Sequence, residues 1–208
     1  MRHPSNDAVL DRAWARACFG RVRTGLGRPC GDHDLNPDLQ PLSQLIPAAV
    51  LVPLVCRPEG LAALFTQRTA HLAHHAGQIS FPGGHMEPAD ATPEDTALRE
   101  TEEEIGLPRT RVELIGRLDR YVTRTGFSVT PVVAVIEPPF ELAPDPHEVE
   151  SVFEAPLAFF LDPANHHRHT RLFEGKERHF FAMPYGERYI WGATAGMLRN
   201  FYEIAMAR

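Results

Sequence analysis

The chain has 208 residues, 43% of them hydrophobic, and a formal net charge of −6. This length and composition predict one main domain with a single core rather than two large domains. The negative charge, and the absence of a Lys/Arg stripe with interleaved aromatic residues, argue against a nucleic-acid partner.

No apolar run reaches the ~18 residues of a membrane helix, and Arg12, Arg16 and Arg21 stand where a signal peptide would be apolar. We therefore expect a soluble, cytoplasmic protein with no membrane partner. Cys18, Cys30 and Cys56 are widely spaced and form no C-x-x-C motif, which predicts reduced thiols rather than a disulfide framework or a zinc site.

Residues 1–45 are predicted to form an N-terminal helix, from Asp7 to about Phe19, followed by a Pro/Gly-rich strap without regular structure. We favour packing of this segment on the core over a partner-binding arm. The main domain is predicted to cover residues 46–208 and to begin with two strands, Ala48 to Cys56 and Leu61 to Gln67, joined by a turn.

A glycine turn follows, Phe81-Pro82-Gly83-Gly84, and then a helix that Thr92 caps, Pro93 opens and Gly106 ends. Glycines without a Cβ let the backbone come close to a bound group.

At about 3.6 residues per turn, Glu103 and Glu104 project only about 60° and 40° from Glu100. The three carboxylates therefore share one face and repel each other, unless they share hard divalent cations such as Mg²⁺. A solvated acidic face is the ordinary interpretation of such a pattern. The flanking residues favour a metal site, because Arg99 can pair with Glu103 at i,i+4 and orient the acidic face.

Further strands are predicted at Val112 to Leu118 and Ser128 to Ile136, with Thr125-Gly126 turning between them. Pro131 predicts an edge or a bulge in the second of these. The remaining predicted elements are a helix after Pro156, strands near Arg171 to Phe173 and Arg178 to Met183, and a C-terminal helix from Thr194 to Ala205.

Other candidate residues have two interpretations. Arg68 and Arg124 are either phosphate ligands or ordinary surface residues. Trp191 is more typical of a core than of a base-stacking platform. His74-His75 and the His166-His167-Arg168-His169 cluster are interpreted as solvated or loop-packed rather than metal-binding, since the carboxylates of the acidic helix offer the hard oxygen ligands that Mg²⁺ prefers.

The helix and its glycine turn resemble the Nudix box, G-x5-E-x7-R-E-U-x-E-E-x-G-U, where U is a bulky aliphatic residue. The matching positions are Arg99, Glu100, Glu103, Glu104, Gly106 and Leu107. Thr101 replaces an aliphatic residue, and Asp90 fills the first acidic position with one inserted residue before Arg99.

Within this family the chain is most similar to the coenzyme A pyrophosphatase branch. The matching segments are Leu64-Phe65-Thr66-Gln67-Arg68-Thr69, Gly77, Phe81-Pro82-Gly83-Gly84, Glu87, Asp90, Thr96-Ala97-Leu98-Arg99-Glu100 and, near the end, Tyr189-Ile190-Trp191-Gly192-Ala193-Thr194-Ala195. Within the first segment, Phe65 replaces a leucine and Thr69 replaces a serine or alanine of the branch signature. One departure concerns the substrate, because Ala73 stands where the branch has a second arginine.

The resemblance implies an α/β fold, the Nudix α/β/α sandwich with a mixed sheet. It implies metal-dependent hydrolysis of the pyrophosphate of coenzyme A or its derivatives to 3′,5′-ADP and 4′-phosphopantetheine, with Mg²⁺ or Mn²⁺ on Glu100, Glu103 and Glu104. Arg99 joins these three as a catalytic residue, and Arg68, Gly83 and Gly84 bind substrate. The alternatives are another substrate, such as ADP-ribose, NADH or a damaged nucleotide, and a non-catalytic binding module. A homodimer is left open.

Overall fold

The computed structural model describes residues 10–20, 29–40, 42–71 and 77–207. The first three residues of the predicted N-terminal helix, Asp7, Ala8 and Val9, as well as Ala73, His74 and His75, lie outside these ranges. No helix in the described part of the chain is long and apolar enough to cross a membrane.

The helices are α1 (Arg12–Phe19), α2 (Asp32–Leu35), α3 (Pro93–Ile105), α4 (Leu157–Leu161) and α5 (Ala193–Met206). The strands are β1 (Cys30–Gly31), β2 (Ile46–Arg57), β3 (Gly60–Arg68), β4 (Ile79–Ser80), β5 (Gly83–His85), β6 (Val112–Arg117), β7 (Tyr121–Val122), β8 (Phe127–Ile136), β9 (Val149–Pro156), β10 (His167–Phe173), β11 (Lys176–Tyr185) and β12 (Arg188–Trp191).

A large mixed sheet forms the centre of the domain. β2 pairs parallel with β8 and antiparallel with β3, so its two neighbours run in opposite directions. Alternate residues of β2 point to opposite faces, with Leu51 in one hydrophobic cluster and Val52 and Leu54 in another. Because side chains on both faces of β2 are buried, each face of the sheet must be covered by another layer.

The two covering layers are helical. On one face, Ala97 of α3 packs with Leu51 and Val132. On the other, Phe160 of α4 and Phe201 of α5 pack in the cluster that holds Leu54 and Phe65. This arrangement is the predicted α/β/α sandwich with a mixed sheet, and the prediction is confirmed.

The N-terminal residues pack on this core. Asp11 caps α1 by accepting a hydrogen bond from the Trp14 backbone N at 2.8 Å, and the Phe19 ring lies 4.5 Å from that of Phe201. The strap is more ordered than its glycines and prolines predict, because it contains β1 and α2. β1 pairs with β7, which satisfies backbone groups that a loop would leave to solvent.

A second, three-stranded antiparallel sheet is formed by β10, β11 and β12. The sequence predicts parts of β10 and β11, and the structure extends both. β9 is absent from the prediction, although it pairs along β3 from Ala62 to Arg68.

The predicted edge at Pro131 is wrong. β8 is an interior strand between β2 and the strands β6 and β7. On the outer side, its pairing with β7 ends at Val129 and its pairing with β6 begins at Val132. Pro131 therefore falls between two partners, where a missing N–H breaks no ladder hydrogen bond on that side.

Candidate active site

The ends of α3 are fixed by its own sequence. The Thr92 hydroxyl accepts a hydrogen bond from the Asp95 backbone N at 3.2 Å, and the Asp95 carboxylate accepts one from the Thr92 backbone N at 3.0 Å. This reciprocal pair satisfies amides that a helix start leaves without partners. At the other end Gly106 adopts φ 67°, a left-handed conformation that favours glycine. The predicted start and stop of the helix are confirmed.

Thr101 occupies the position where the Nudix pattern has an aliphatic residue. Its side chain is fully buried, and its hydroxyl donates to the Ala97 carbonyl oxygen at 2.6 Å. Because the hydroxyl is bonded inside the helix, the buried face of α3 tolerates threonine there without an unpaired polar group.

The glycine turn brings backbone against the carboxylates. β5 pairs with β2, and Gly84 lies opposite Ala49. A Cβ added to Gly84 would lie 2.5 Å from the carboxylate carbon of Glu100. Gly83 adopts φ 149°, where a side chain is strained, and a Cβ there would overlap the Ala49 carbonyl oxygen. Gly83 is therefore required by the close approach of β5 to the backbone of β2, whereas at Gly84 a side chain would displace the Glu100 carboxylate.

Glu104 is the most buried of the three carboxylates, with 5% of its side chain exposed. The Gly83 backbone N donates to its Oε2 at 3.3 Å, and Arg68 Nη1 lies 3.6 Å from its Oε1. Burial raises the pKa of Glu104 to about 8, against the opposing effect of Arg68 and the Gly83 amide. The charge of this carboxylate is therefore only partly compensated by the protein.

Arg99 holds the remaining acidic residues. Its Nη1 donates to Glu100 Oε1 at 2.9 Å and to Glu103 Oε2 at 3.0 Å, while its Nη2 donates to Asp90 Oδ2 at 2.9 Å. These hydrogen bonds from Arg99, joined by one from the Glu87 backbone N, hold the pKa of Asp90 well below its usual range. Arg99 thus fixes two of the three helix carboxylates through one planar group.

The three carboxylates differ in exposure. The Glu100 side chain is 14% exposed and that of Glu103 is 60% exposed. Burial raises the pKa of Glu100, and the ion pair with Arg99 opposes that rise. The face therefore runs from an inner carboxylate, Glu104, to a solvated outer one, Glu103.

Within the described residues, no group of three or more His, Cys, Asp or Glu side chains stands close enough to hold a metal ion. The donor chemistry nevertheless fits a hard divalent cation, because Glu100 and Glu104 are carboxylates whose charge is penalised by burial. A cation between them would remove that penalty.

A cleft of about 430 Å³ opens beside Glu104. Arg68, Phe81 and Gly83 line its near end, where the glycine turn meets the carboxylate. Its far wall is formed by the second sheet, with Phe180 and Trp191 among the lining residues. The cleft therefore joins the acidic helix to a surface that lies far from it in sequence.

The strap holds this far wall in place through Asn36, which is 4% exposed. Its side-chain amide donates to the His179 carbonyl oxygen at 2.9 Å and accepts from the His179 backbone N at 2.9 Å. The same amide donates to the Asp32 carbonyl oxygen at 2.7 Å. A single buried side chain thereby ties α2 to β11.

Arg68 and Arg124 both line this cleft. The guanidinium carbon of Arg124 lies 4.0 Å from the ring centroid of Phe173. Trp191 is half-buried and lines the cleft, with its ring 5.2 Å from that of Phe180. The interpretation of Trp191 as a core residue is therefore wrong, because one side of the ring faces the cleft.

His167 and His169 are exposed, in agreement with the interpretation as solvated histidines, and they belong to strand β10 rather than to a turn. His166 precedes them, and its Nε2 lies 2.8 Å from the Phe160 carbonyl oxygen, where burial lowers its pKa. None of the three belongs to a metal-binding group among the residues described.

Sequence reasoning missed Asp32, Asn36, Arg171 and Phe180 as cleft residues. The available signal was the alternation in β10 and β11, which places Arg171 with Phe173 and Arg178 with Phe180 on a shared face. The contribution of Asn36 has no local signal, because its partner is 143 residues away.

An acidic helix delivered by a glycine turn to the edge of a cleft defines a hydrolase site of the Nudix class. Residues 45–175 match the family described as "NUDIX domain", which is more than half of the chain. The chain belongs to the Nudix family.

Among its relatives is an Escherichia coli (strain K12 / DH10B) protein named "Uncharacterized Nudix hydrolase NudL". It is 43% identical over 154 residues, which cover 74% of this chain and 79% of the relative. Among solved structures, the Nudix hydrolase RenU from M. smegmatis is 24% identical with a TM-score of 0.48, over 56% of this chain and 74% of that one. The NUDIX domain of Shewanella oneidensis NrtR, solved with ADP ribose, is 19% identical with a TM-score of 0.43, over 60% and 82%.

Proposed function

We propose that this Nudix hydrolase cleaves the pyrophosphate bond of coenzyme A or its derivatives, giving 3′,5′-ADP and 4′-phosphopantetheine. One observation carries the proposal. The segment Leu64 to Gly84, which resembles the signature of the coenzyme A pyrophosphatases, supplies both a wall of the cleft and contacts to Glu104. Arg68 and Gly83 each line the cleft and lie against that carboxylate.

The cleft suits a nucleotide in size and lining. Its volume of about 430 Å³ lies within the range of small-molecule sites. Phe180 and Trp191 provide aromatic faces on which a base can stack. The arginines of the cleft lining, Arg68 and Arg124 among them, match the charge of a substrate with several phosphates.

The proposed metal ligands are Glu100, Glu103 and Glu104, for Mg²⁺ or Mn²⁺. When bound, the cation supplies charge stabilisation for the phosphoryl-transfer transition state and lowers the pKa of the attacking water. Arg99 keeps Glu100 and Glu103 oriented through its two hydrogen bonds. One carboxylate of the set accepts the proton of the water. Arg68 binds the pyrophosphate oxygens.

The alternative is another nucleoside diphosphate derivative, such as ADP-ribose, NADH or a damaged nucleotide. It is supported by Phe180 and Trp191, since aromatic stacking accepts any base, and by Ala73, which removes a cationic donor that the coenzyme A branch carries. A non-catalytic module is disfavoured because the set Glu100, Glu103 and Glu104 is intact.

Product identification across a panel of pyrophosphates tests the proposal. Coenzyme A is expected to yield 3′,5′-ADP and 4′-phosphopantetheine, with kcat/KM at least tenfold above that for ADP-ribose or NADH. Chromatography of the products with Mg²⁺ and with Mn²⁺ provides the measurement. A preference for ADP-ribose, or hydrolysis without release of 3′,5′-ADP, would favour the alternative.

A further inference from the structure

The far wall of the cleft carries a row of cations on one face of the second sheet. Residues two apart in a strand share a face, so Arg171 and Phe173 of β10 point the same way. Arg171 lies directly opposite Arg178 in the ladder between β10 and β11. Like charges in directly opposed positions destabilise a sheet unless something compensates them.

Only one member of this cross-strand pair is compensated by the described part of the chain. Arg178 Nη1 lies 2.8 Å from Asp38 Oδ2 in the strap. The side chain of Arg171 has no ion pair or hydrogen bond with any residue that the structure describes, although Arg171 lines the cleft.

Arg124 approaches the same face from the main sheet. Its guanidinium stacks on Phe173 at 4.0 Å, and its backbone N donates to Asp32 Oδ2 at 2.7 Å. Stacking on a ring leaves the N–H groups at the edge of the guanidinium available to a ligand. Its side chain also forms no ion pair with a carboxylate in the described ranges. Because Phe173 and Arg171 are about 7 Å apart along the strand, the two guanidinium groups flank one small area.

The area lies next to the aromatic pair of the cleft. Phe180 and Trp191 line the same space as Arg124 and Arg171. Glu104 of α3 lies beside Arg68, another residue of the cleft lining. The cleft thus combines a carboxylate at its border with aromatic and cationic side chains in its lining.

We infer that Arg124 and Arg171 form a second anion site, which binds a phosphate monoester that the substrate carries outside its pyrophosphate. The inference rests on the proposed function, in which that group is the 3′-phosphate of coenzyme A. A base stacked on Phe180 and Trp191 places a ribose phosphate near the two guanidinium groups. Planar guanidinium forks are suited to phosphate oxygens.

The test compares coenzyme A with 3′-dephospho-coenzyme A, which differ only in this phosphate. The variants are Arg124→Ala and Arg171→Ala, with Arg168→Ala as a matched control. Arg168 is an exposed arginine of the same strand and is absent from the lining of the 430 Å³ cleft. It borders an adjoining cavity of about 550 Å³ that shares Arg171 with the cleft, so it controls for the loss of a nearby positive charge. The quantity measured is the ratio of kcat/KM for coenzyme A to kcat/KM for the dephospho compound.

We expect this ratio to fall at least fivefold in Arg124→Ala and in Arg171→Ala, and to stay within twofold of wild type in Arg168→Ala. The inference is overturned if the ratio stays within twofold in both test variants, or if Arg168→Ala lowers it equally. In either case hydrolysis of coenzyme A by the wild type would leave the proposed function standing.

If the wild type does not hydrolyse coenzyme A, the proposed function fails and binding decides the inference separately. Isothermal titration calorimetry then compares 3′,5′-ADP with 5′-AMP. Tighter binding of 3′,5′-ADP by the wild type, lost in Arg124→Ala and Arg171→Ala, supports the anion site. Equal affinities for the two nucleotides, or a preference that survives both substitutions, overturns it.

Discussion

The two ends of the cleft are built in opposite ways. The acidic end comes from one short stretch, Gly83 to Glu104, in which a turn and a helix place every carboxylate. The far wall is assembled from the strap, the β7–β8 turn, the second sheet and the start of α5. The arrangement of the carboxylates is therefore determined by residues close together in the sequence. The shape of the cleft depends instead on contacts between residues far apart in the sequence.

The two ends also differ in how they are held. The acidic end contains buried charge, and the raised pKa values of Glu100 and Glu104 mean that ionisation there opposes folding. The far wall is held by neutral hydrogen bonds from Asn36 to backbone groups. Substitutions at the acidic end should therefore change turnover more than stability, and those in the wall should change stability and binding.

The largest expected effect is at the acidic end. Glu104→Gln or Glu100→Gln should lower kcat at least a hundredfold, about 2.7 kcal/mol, because each removes a proposed metal ligand. Circular dichroism should show an intact fold. Steady-state kinetics at saturating Mg²⁺ provides the measurement.

The matched control is Glu102→Gln on the same helix. Glu102 accepts hydrogen bonds from Arg109, at 2.8 Å from both the backbone N and Nε, and lies away from the cleft. Its substitution should leave kcat near wild type. More than about a third of wild-type kcat in Glu104→Gln, a loss of less than about 0.7 kcal/mol by transition-state arithmetic, would refute the metal-site assignment.

In the far wall, Asn36→Ala should lower the free energy of unfolding by about 2 kcal/mol, because it leaves buried backbone groups of β11 without partners. KM should rise while kcat changes little, since the carboxylates are untouched. Chemical denaturation and kinetics measure the two effects. Asp38→Asn weakens the ion pairs of Asp38 with Arg178 and Lys176, and it should shift the denaturation midpoint less because the Asp38 side chain is 52% exposed. Equal shifts in the two variants would contradict the tie proposed for Asn36.

Gly84→Ala tests the contact between the glycine turn and the Glu100 side chain of α3. The added Cβ would overlap the Glu100 carboxylate, so we expect kcat to fall at least tenfold, about 1.4 kcal/mol, with the fold retained. Gly186→Ala is the control. That residue adopts φ 57° with nothing within 4 Å of an added Cβ, so the strain of about 1 kcal/mol should affect stability alone. Wild-type turnover in Gly84→Ala would show that Glu100 moves aside freely.

The smallest expected effect is a change in the alkylation rate of the Cys30 thiol, which reports on the packing of the strap. Burial, with a smaller contribution from Asp119, raises the pKa of Cys30 to about 12, so little of the reactive thiolate is present at pH 8. Alkylation by iodoacetamide should therefore be slow at pH 8 and accelerate as the pH approaches that value.

Asn36→Ala should increase labelling of Cys30 severalfold at pH 8, because a loosened strap exposes β1. Cys56 serves as an internal control, since burial raises its pKa to about 11 at a site away from the strap. Mass spectrometry of the digested protein measures both sites. Equal labelling of Cys30 in wild type and variant would mean that the strap stays docked without Asn36.

The difference between the two ends explains which features could be predicted from the sequence and which could not. Thr92, Pro93 and Gly106 act on their immediate neighbours, so the helix that carries Glu100, Glu103 and Glu104 followed from local patterns. The pairing of Asn36 with His179 is set by tertiary packing, and no local pattern reports it. The predicted edge at Pro131 was wrong for the same reason. A proline fits inside this sheet because the pairing of β8 with β7 ends just before it and the pairing with β6 begins just after it, and local sequence does not show this.

The hydrogen bonds between Asn36 and His179 affect the choice of fragment boundaries for experiments on this protein. The span that matches the family ends at residue 175, and it omits both the Asn36 segment and the last part of the cleft lining, from Arg178 to Met197. A gene fragment trimmed to that span would retain the acidic helix without most of the far wall. Such a fragment would be a poor substitute for the full chain in substrate screening, since its selectivity would reflect a half-built cleft.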